Sequence, residues 1–241
     1  MAHTYRFFAE HLSPGHWRLE DDEASHALKV LRLDAGTVIE VMDGRGAVGV
    51  GKLFIESKTK VFAVDALETM TVPDPIYRCV ILGALKPGDI DDLIAPLVEL
   101  GIDRIIAFRQ EDTPRFRVAD TAQDRWQRLV RAAVKQSKRP TLVSIDVVDG
   151  LAEAIALVEG ASHKWILLPE APQDLLKVTQ ILEGVTAMVT LIGGEKGFSP
   201  REESMARAAG YLPVCLGPWV LRARTAAPAA AVFLGMLPLR K

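Results

Sequence analysis

Cysteine is scarce in this chain of 241 residues, which contains only Cys79 and Cys215. The two residues lie in separate apolar runs, and neither has a histidine close to it in the sequence. This pattern excludes a disulfide framework and a zinc site. We therefore predict two buried free thiols and no metal centre.

The chain also lacks an excess of one charge and lacks long apolar runs. Lys and Arg number 29 and Asp and Glu 31, so the global charge does not indicate a nucleic-acid partner. No run approaches the ~20 apolar residues of a membrane span, and residues 1–10 lack the apolar core of a signal peptide. A hydrophobic share of 49% and a charged share of 25% are typical of globular proteins, and we expect a cytoplasmic one.

The pattern of apolar residues divides the chain in two. Residues 1–72 contain short strands, at 37–42 and 60–67, with one helical stretch at about 23–31, which predicts a small β-barrel. Asp43-Gly44 is a hairpin signal. The two prolines of segment 71–75 disfavour regular structure, and we place the domain boundary there.

Strands and helices alternate in residues 73–241, which is typical of an α/β domain with a mostly parallel sheet. Asp89 is predicted to cap a helix that ends before Gly101, and Thr225 is a candidate cap for a buried C-terminal helix. The predicted strands cover 77–85, 102–108, 165–168, 187–192 and 212–216, and a further helix covers 121–138.

A glycine-rich segment in the first half matches a dinucleotide-binding pattern but lacks the structural context that the pattern requires. Residues 44–49 fit the G-x-G-x-x-G pattern, which binds dinucleotides only where a helix begins inside it. Here the following residues continue as strand or turn, so we interpret the segment as a hairpin.

The loop after the predicted strand 187–192 is more informative. It contains Gly193, Gly194 and Gly197, and it leads into a helix with Ser199 as the cap, Pro200 in the first turn and Glu202 completing a capping box. Glycines let the backbone approach a ligand closely. A tight turn without a ligand fits this segment equally well.

Two other strand ends are expected at the same sheet edge, where α/β proteins bind ligands. Together, the three loops would offer backbone donors and acceptors to a flat base and a charged tail. The predicted ligand-binding residues are Leu168, Pro169, Glu170, Ile192, Gly193, Gly194, Glu195, Gly197, Leu216, Gly217, Val220, Leu221 and Thr225.

A basic stretch at 104–139 contains ten Arg or Lys and four acids. Five of the basic residues fall on one face of the predicted helix, which suits an RNA backbone, although a solvated basic face is the alternative. A second basic cluster lies in the N-terminal half. The predicted RNA contacts are Arg6, His26, Lys29, Arg32, Arg115, Arg125, Arg128, Arg131, Lys138 and Arg139.

These motifs, in this order, resemble the 16S rRNA (uracil-N3) methyltransferase family of the SPOUT class. The resemblance rests on Arg6-Phe7-Phe8, His26 with Val30-Leu31-Arg32, Asp43-Gly44, Glu99-Leu100-Gly101, Gln136 with Arg139, and the loops at 192–199 and 216–225. It implies a PUA-like barrel, a trefoil-knotted α/β domain, a homodimer, and S-adenosylmethionine as the cofactor.

The resemblance also implies roles for individual residues. We expect Arg222 to stabilise an anionic base or to bind a phosphate. The residues whose backbone groups should hold the cofactor are Leu168, Gly193, Gly197, Leu216, Gly217 and Leu221. Glu195 is a candidate polar contact whose alternative role is to cap the next helix.

The chain departs from the family pattern mainly at polar positions, whereas the positions that shape the backbone are mostly kept. The departures are Pro96, Asp112, Lys135, Gly194, Lys196, Trp219 and Arg224. Three alternatives therefore stay open. The first is a divergent, weakly active or non-catalytic RNA-binding or ribosome-assembly paralogue. The second is an enzyme that uses another nucleotide in the glycine-rich loop, and the third is a methyltransferase that acts on another RNA.

Overall fold

The computed structural model describes residues 4–58, 60–70, 76–83, 87–111, 113, 120–179 and 183–235. The chain divides into two compact units. The first consists of Met1–Pro73 with Val134–Leu142, and the second of Asp74–Ala133 with Val143–Lys241. The sequence-based boundary left 134–142 in the second domain.

The first unit contains a closed five-stranded barrel with the order β1-β2-β5-β4-β3. Burial alternates along β4, where Gly49, Gly51 and Leu53 face inward, as expected for a strand with one face on the core. The strands are β1 (Tyr5–Ser13), β2 (His16–Leu19), β3 (Val38–Met42), β4 (Ala47–Ile55) and β5 (Val61–Met70). The predicted barrel is confirmed.

The helical stretch of this unit begins slightly earlier than predicted. Helix α1 (Asp21–Ser25) carries three acids in its first turn, where the helix dipole favours them, and continues into a π-helical segment, His26–Val30.

The G-x-G-x-x-G segment forms a hairpin turn and the start of β4. Asp43 Oδ1 accepts hydrogen bonds from the backbone of Arg45 at 2.7 Å and Ala47 at 3.1 Å. No helix begins inside the motif, which confirms that it is not a dinucleotide fingerprint.

Residues 134–142 add to the hairpin turn of the first unit. The backbone N–H of Leu142 donates to the carbonyl of Gly44 at 2.8 Å, and that of Gly46 donates to Pro140 at 3.1 Å. The side chain of Lys135 lies 2.7 Å from the buried carboxylate of Glu23.

The second unit contains a six-stranded parallel sheet with the order β11-β9-β10-β6-β7-β8. The central strands are almost wholly buried, as in sheets covered on both faces. The strands are β6 (Tyr77–Gly83), β7 (Arg104–Phe108), β8 (Ser144–Val148), β9 (His163–Leu167), β10 (Ala187–Ile192) and β11 (Leu212–Val214).

Among the described residues, six helices accompany this sheet, which confirms the predicted α/β class. They are α2 (Pro87–Glu99), α3 (Asp120–Ser137), α4 (Leu151–Ala156), α5 (Leu175–Thr179), α6 (Pro200–Ala208) and α7 (Ala223–Gly235). In the described part of the chain, no helix has the length and apolar character required to cross a membrane.

Two predicted helix caps are wrong. Helix α2 already includes Pro87, so Asp89 lies in its first turn, and α7 begins at Ala223, so Thr225 lies inside it. The carbonyl of Arg222 accepts the N–H groups of Thr225 and Ala226 at 2.8 Å each. Arg222 therefore occupies the cap position, three residues before the predicted cap Thr225.

Candidate functional site

The carboxyl ends of β9, β10 and β11 open into one cavity of about 1140 Å³. The cavity brings together Arg222 and all but two of the predicted ligand-binding residues. Those that line it are Leu168, Pro169, Ile192, Gly193, Gly194, Glu195, Gly197, Leu216, Gly217, Val220 and Leu221.

Glu170 and Thr225 are not part of the cavity lining. Glu170 is exposed in the turn that follows Pro169. Thr225 is exposed in the first turn of α7, whereas its neighbours Ala223, Arg224 and Ala226 line the cavity. The earlier start of α7 thus places the threonine outside the site.

The glycine-rich loop after β10 forms a tight turn. Gly194 and Gly197 pair as an antiparallel bridge, and the N–H of Gly197 donates to the carbonyl of Gly194 at 3.1 Å. Gly197 has a φ of +73°, a left-handed conformation that favours glycine. The turn presents its backbone to the cavity.

The start of helix α6 supports this turn, as the capping signature predicted. The Ser199 side chain accepts a hydrogen bond from Glu202 N, and a Glu202 carboxylate oxygen accepts one from Ser199 N at 2.9 Å. Glu202 is buried and also accepts the N–H of Glu111 at 3.1 Å. Glu202 and Ser199, rather than Glu195, cap this helix.

The loop after β11 is built differently. Gly217 has a φ of +117°, which disfavours any other residue. Trp219 and Val220 are each 79% exposed although they line the cavity. In the part of the chain that the structure describes, the Arg222 guanidinium has no hydrogen-bond or ion-pair partner and is available to a ligand.

An ion pair that the sequence did not reveal lies at the cavity wall. The guanidinium of Arg224 lies 2.7 Å from Asp92 and 3.4 Å from Asp89, which joins α7 to α2. The acids are more than 130 residues away in sequence, so no local pattern could indicate the pair. Other lining residues that we did not predict are Leu167, Lys196, Phe198, Cys215 and Trp219.

The two cysteines differ in their surroundings. Cys79 is buried in β6, and burial raises the pKa of its thiol. Cys215 is only half-buried and lines the cavity, so the prediction of two buried thiols is wrong for Cys215.

Several predicted RNA contacts cluster in the first unit. Arg6 and Lys138 both bind the carboxylate of Glu40, at 2.8 and 3.2 Å, and Arg6 also donates to the carbonyl of Arg139 at 3.4 Å. Burial tends to raise the pKa of Glu40, but the hydrogen bonds and charges of Arg6 and Lys138 together lower it. His26, Lys29 and Arg32 are exposed in the same unit.

In the second unit, Arg125 lies 2.8 Å from Asp91 of α2, and Arg128 donates to the carbonyl of Asp124 at 3.4 Å. Arg131 is half-buried, and Arg115 lies outside the described residues. Acidic side chains therefore partly neutralise the basic face of α3. Its partners Asp91, Glu23 and Glu40 come from distant parts of the sequence.

Comparison with known families gives two matches. A model of the RNA methyltransferase domain matches residues 73–235, and one of the RNA methyltransferase PUA domain matches residues 19–65. The chain belongs to the RNA methyltransferase domain family. The cavity lies wholly within the residues that match this family.

Individual members of the family are similar over most of their length. Ribosomal RNA small subunit methyltransferase E of Mycobacterium bovis is 27% identical, over 92% of this chain and 87% of the relative. The crystal structure of ribosomal RNA small subunit methyltransferase E from Neisseria gonorrhoeae bound to S-adenosyl methionine has a TM-score of 0.82 and 29% identity, and covers 95% of both chains. A probable rRNA methyltransferase from Porphyromonas gingivalis has a TM-score of 0.79, 26% identity and coverage of 97% and 98%.

Proposed function

We propose that this protein transfers the methyl group of S-adenosylmethionine to N3 of a uridine in 16S ribosomal RNA. The observation that carries the proposal is the single cavity formed by three loops at the carboxyl ends of β9, β10 and β11. The small-subunit rRNA methyltransferases that resemble the chain support the choice of substrate.

The chemistry of the cavity suits this cofactor. Ile192, Phe198 and Leu216 supply apolar surface for an adenine ring, and Lys196 and Arg222 supply positive charge for a carboxylate. A volume of about 1140 Å³ also leaves space for the target base beside the cofactor. Leu168, Gly193, Gly197, Leu216, Gly217 and Leu221 would hold the cofactor through their backbone groups.

The cofactor would supply an electrophilic methyl group on a sulfonium, and the protein's main contribution is to position the reactants. Methylation replaces the hydrogen on uridine N3, whose proton passes to solvent, so negative charge develops on the base as the proton leaves. The Arg222 guanidinium, which no other described residue engages, would stabilise that charge in the cavity.

The basic residues of both units would bind RNA through its phosphates, which position a substrate without reading its sequence. In the first unit, Arg6 and Lys138 share the single carboxylate of Glu40, so the pair keeps a net positive charge beside Arg139. We also retain Arg32, Arg115, Arg125, Arg128 and Arg131 as candidate phosphate contacts.

We further propose a trefoil knot, a homodimer and a cytoplasmic location, all of which follow from the resemblance. Two contacts support the knot. Helix α7 packs against β10 and β6 in the middle of the sheet, although the preceding strand β11 lies at the sheet edge. In addition, the N–H of Cys215 donates to the carbonyl of Gln173, and the carbonyl of Cys215 accepts the N–H of Leu175. Light scattering of the purified protein tests the dimer.

Two measurements test the proposed activity. Titration calorimetry with S-adenosylmethionine should show binding, and its absence would favour a non-catalytic RNA-binding protein. Small subunits from a strain that lacks its own uridine-N3 methyltransferase should gain one methyl group per 16S rRNA when incubated with the enzyme and cofactor. Mass spectrometry that places the methyl on another RNA or another atom would refute the substrate assignment.

A further inference from the structure

A buried glutamine side chain bridges the two ends of the glycine-rich turn. Gln110 follows β7 and is 4% exposed. Its Oε1 accepts the N–H of Gly194 at 2.8 Å, and its Nε2 donates to the carbonyl of Gly197 at 2.8 Å. One amide group thus satisfies a donor at the start of the turn and an acceptor at its end.

The space around the Gln110 amide is tightly enclosed. A Cβ atom on Gly83, the last residue of β6, would lie 2.6 Å from Gln110 Cδ and 2.8 Å from Gly194 N. Such distances are far below van der Waals contact, so glycine at position 83 is what lets the glutamine reach the turn.

A second contact fixes the amide from the side of α6. Gln110 Nε2 lies 3.3 Å from Glu202 Oε2, and the same carboxylate oxygen accepts the N–H of Ser199. Gln110 itself does not line the cavity, whereas Gly194 and Gly197 do.

We propose that Gln110 is a positioning residue that holds the turn at 194–197 in the conformation which receives the cofactor, an inference that rests on the proposed function. Glycine gives the turn more conformational freedom than other residues would, and ordering it during binding would weaken affinity. By satisfying Gly194 N and Gly197 O before the cofactor arrives, Gln110 removes much of that cost.

The first experiment compares Gln110→Met with wild type. Methionine has a similar length but forms neither hydrogen bond, so we expect the Kd for S-adenosylmethionine to rise about tenfold and the amide hydrogen of Gly194 to exchange faster. Gln127→Met, at an exposed position of α3, is the matched control and should change neither value. An unchanged Kd for S-adenosylmethionine would overturn the proposal, whatever the exchange rate of Gly194.

The second experiment separates positioning from general damage to the fold. Gln110→Glu keeps an acceptor for Gly194 N–H, but only a protonated carboxyl can donate to Gly197 O. Cofactor binding by this variant should therefore strengthen several-fold, relative to wild type, as the pH falls from about 7 to about 5. A ratio of the two Kd values that does not change with pH contradicts the proposal.

The two proposals fail in different ways. If the wild-type protein does not bind S-adenosylmethionine, the proposed function fails, and the exchange rate of Gly194 still tests whether Gln110 orders the turn. If the wild type binds and the Gln110 variants bind equally well, only the positioning role fails.

Discussion

The loops at residues 193–199 and 216–222 line the same cavity but are held in different ways. The first is closed by its own bridge, and buried Gln110 and Glu202 support it. Between residues 216 and 221, by contrast, the described chain forms no hydrogen bond, and Trp219 and Val220 are largely exposed. The difference indicates that the wall formed by 193–199 is organised before a ligand binds, whereas the wall formed by 216–222 is open and has side chains available for contacts with a ligand.

The largest effect on stability should come from the organised wall. Replacing Glu202 by Ala would leave the N–H groups of Ser199 and Glu111 without their acceptor, and we expect the free energy of unfolding to fall by about 3 kcal/mol. Its neighbour Glu203, which is half-buried and binds Arg207 one turn further along the helix, is the matched control, and Glu203→Ala should cost less than about 0.5 kcal/mol. Urea denaturation measures both. Equal losses would mean that the wall is not organised by Glu202.

The open wall should affect the reaction rather than the fold. For Arg222→Met we expect kcat to fall about 100-fold with little change in melting temperature, because a donor to the developing negative charge is lost. Arg207→Met, at an exposed position of α6 that does not line the cavity, serves as the control. If Arg222→Met instead weakens RNA binding at an unchanged kcat, the guanidinium binds a phosphate and not the reacting base.

Trp219 should contact the RNA at the mouth of the cavity. Stacking on a base contributes about 1–3 kcal/mol, so Trp219→Ala should raise the KM for RNA about tenfold and leave cofactor affinity unchanged. The other three tryptophans, Trp17, Trp126 and Trp165, are buried, so quenching of the fluorescence by RNA would report on Trp219. Leu212→Ala, which removes an exposed apolar side chain outside the cavity lining, is the control and should change neither value. A shift from dimer to monomer in Trp219→Ala would instead assign the residue to a subunit interface.

The smallest effect concerns the two thiols. Iodoacetamide should modify Cys215, which lines the cavity, well before Cys79, whose thiol pKa is raised by burial. Bound S-adenosylmethionine should slow modification of Cys215 several-fold, as peptide mass spectrometry can measure. If the cofactor gives no protection, it binds away from the start of the 216–222 loop.

The elements that carry their own local signals were predictable from the sequence. The capping signature of Ser199, Pro200 and Glu202 predicted the start of α6, and the apolar run at 187–192 predicted β10. Strand β8 and helix α4 were missed because both are short and contain polar residues. Their existence depends on pairing with β7 and on packing against the sheet.

The parts of the site that were missed depend on contacts between distant segments. Gln110 lies more than 80 residues from the turn that it holds, and Arg224 lies more than 130 residues from Asp89 and Asp92. The predicted caps Asp89 and Thr225 failed because each helix begins three residues earlier than a cap at that position would place it. Tertiary packing, rather than local preference, decided those starts.

The inclusion of 134–142 in the first unit bears on how the protein can be divided for experiments. A fragment that ends at residue 73 would leave buried Glu23 without Lys135, and Gly44 and Gly46 without the partners that close their turn. An ionised carboxylate left unpaired in an apolar interior is strongly destabilising. The barrel should therefore be produced only together with a segment that supplies residues 134–142. Tags and epitopes should be inserted at other positions than 134–142.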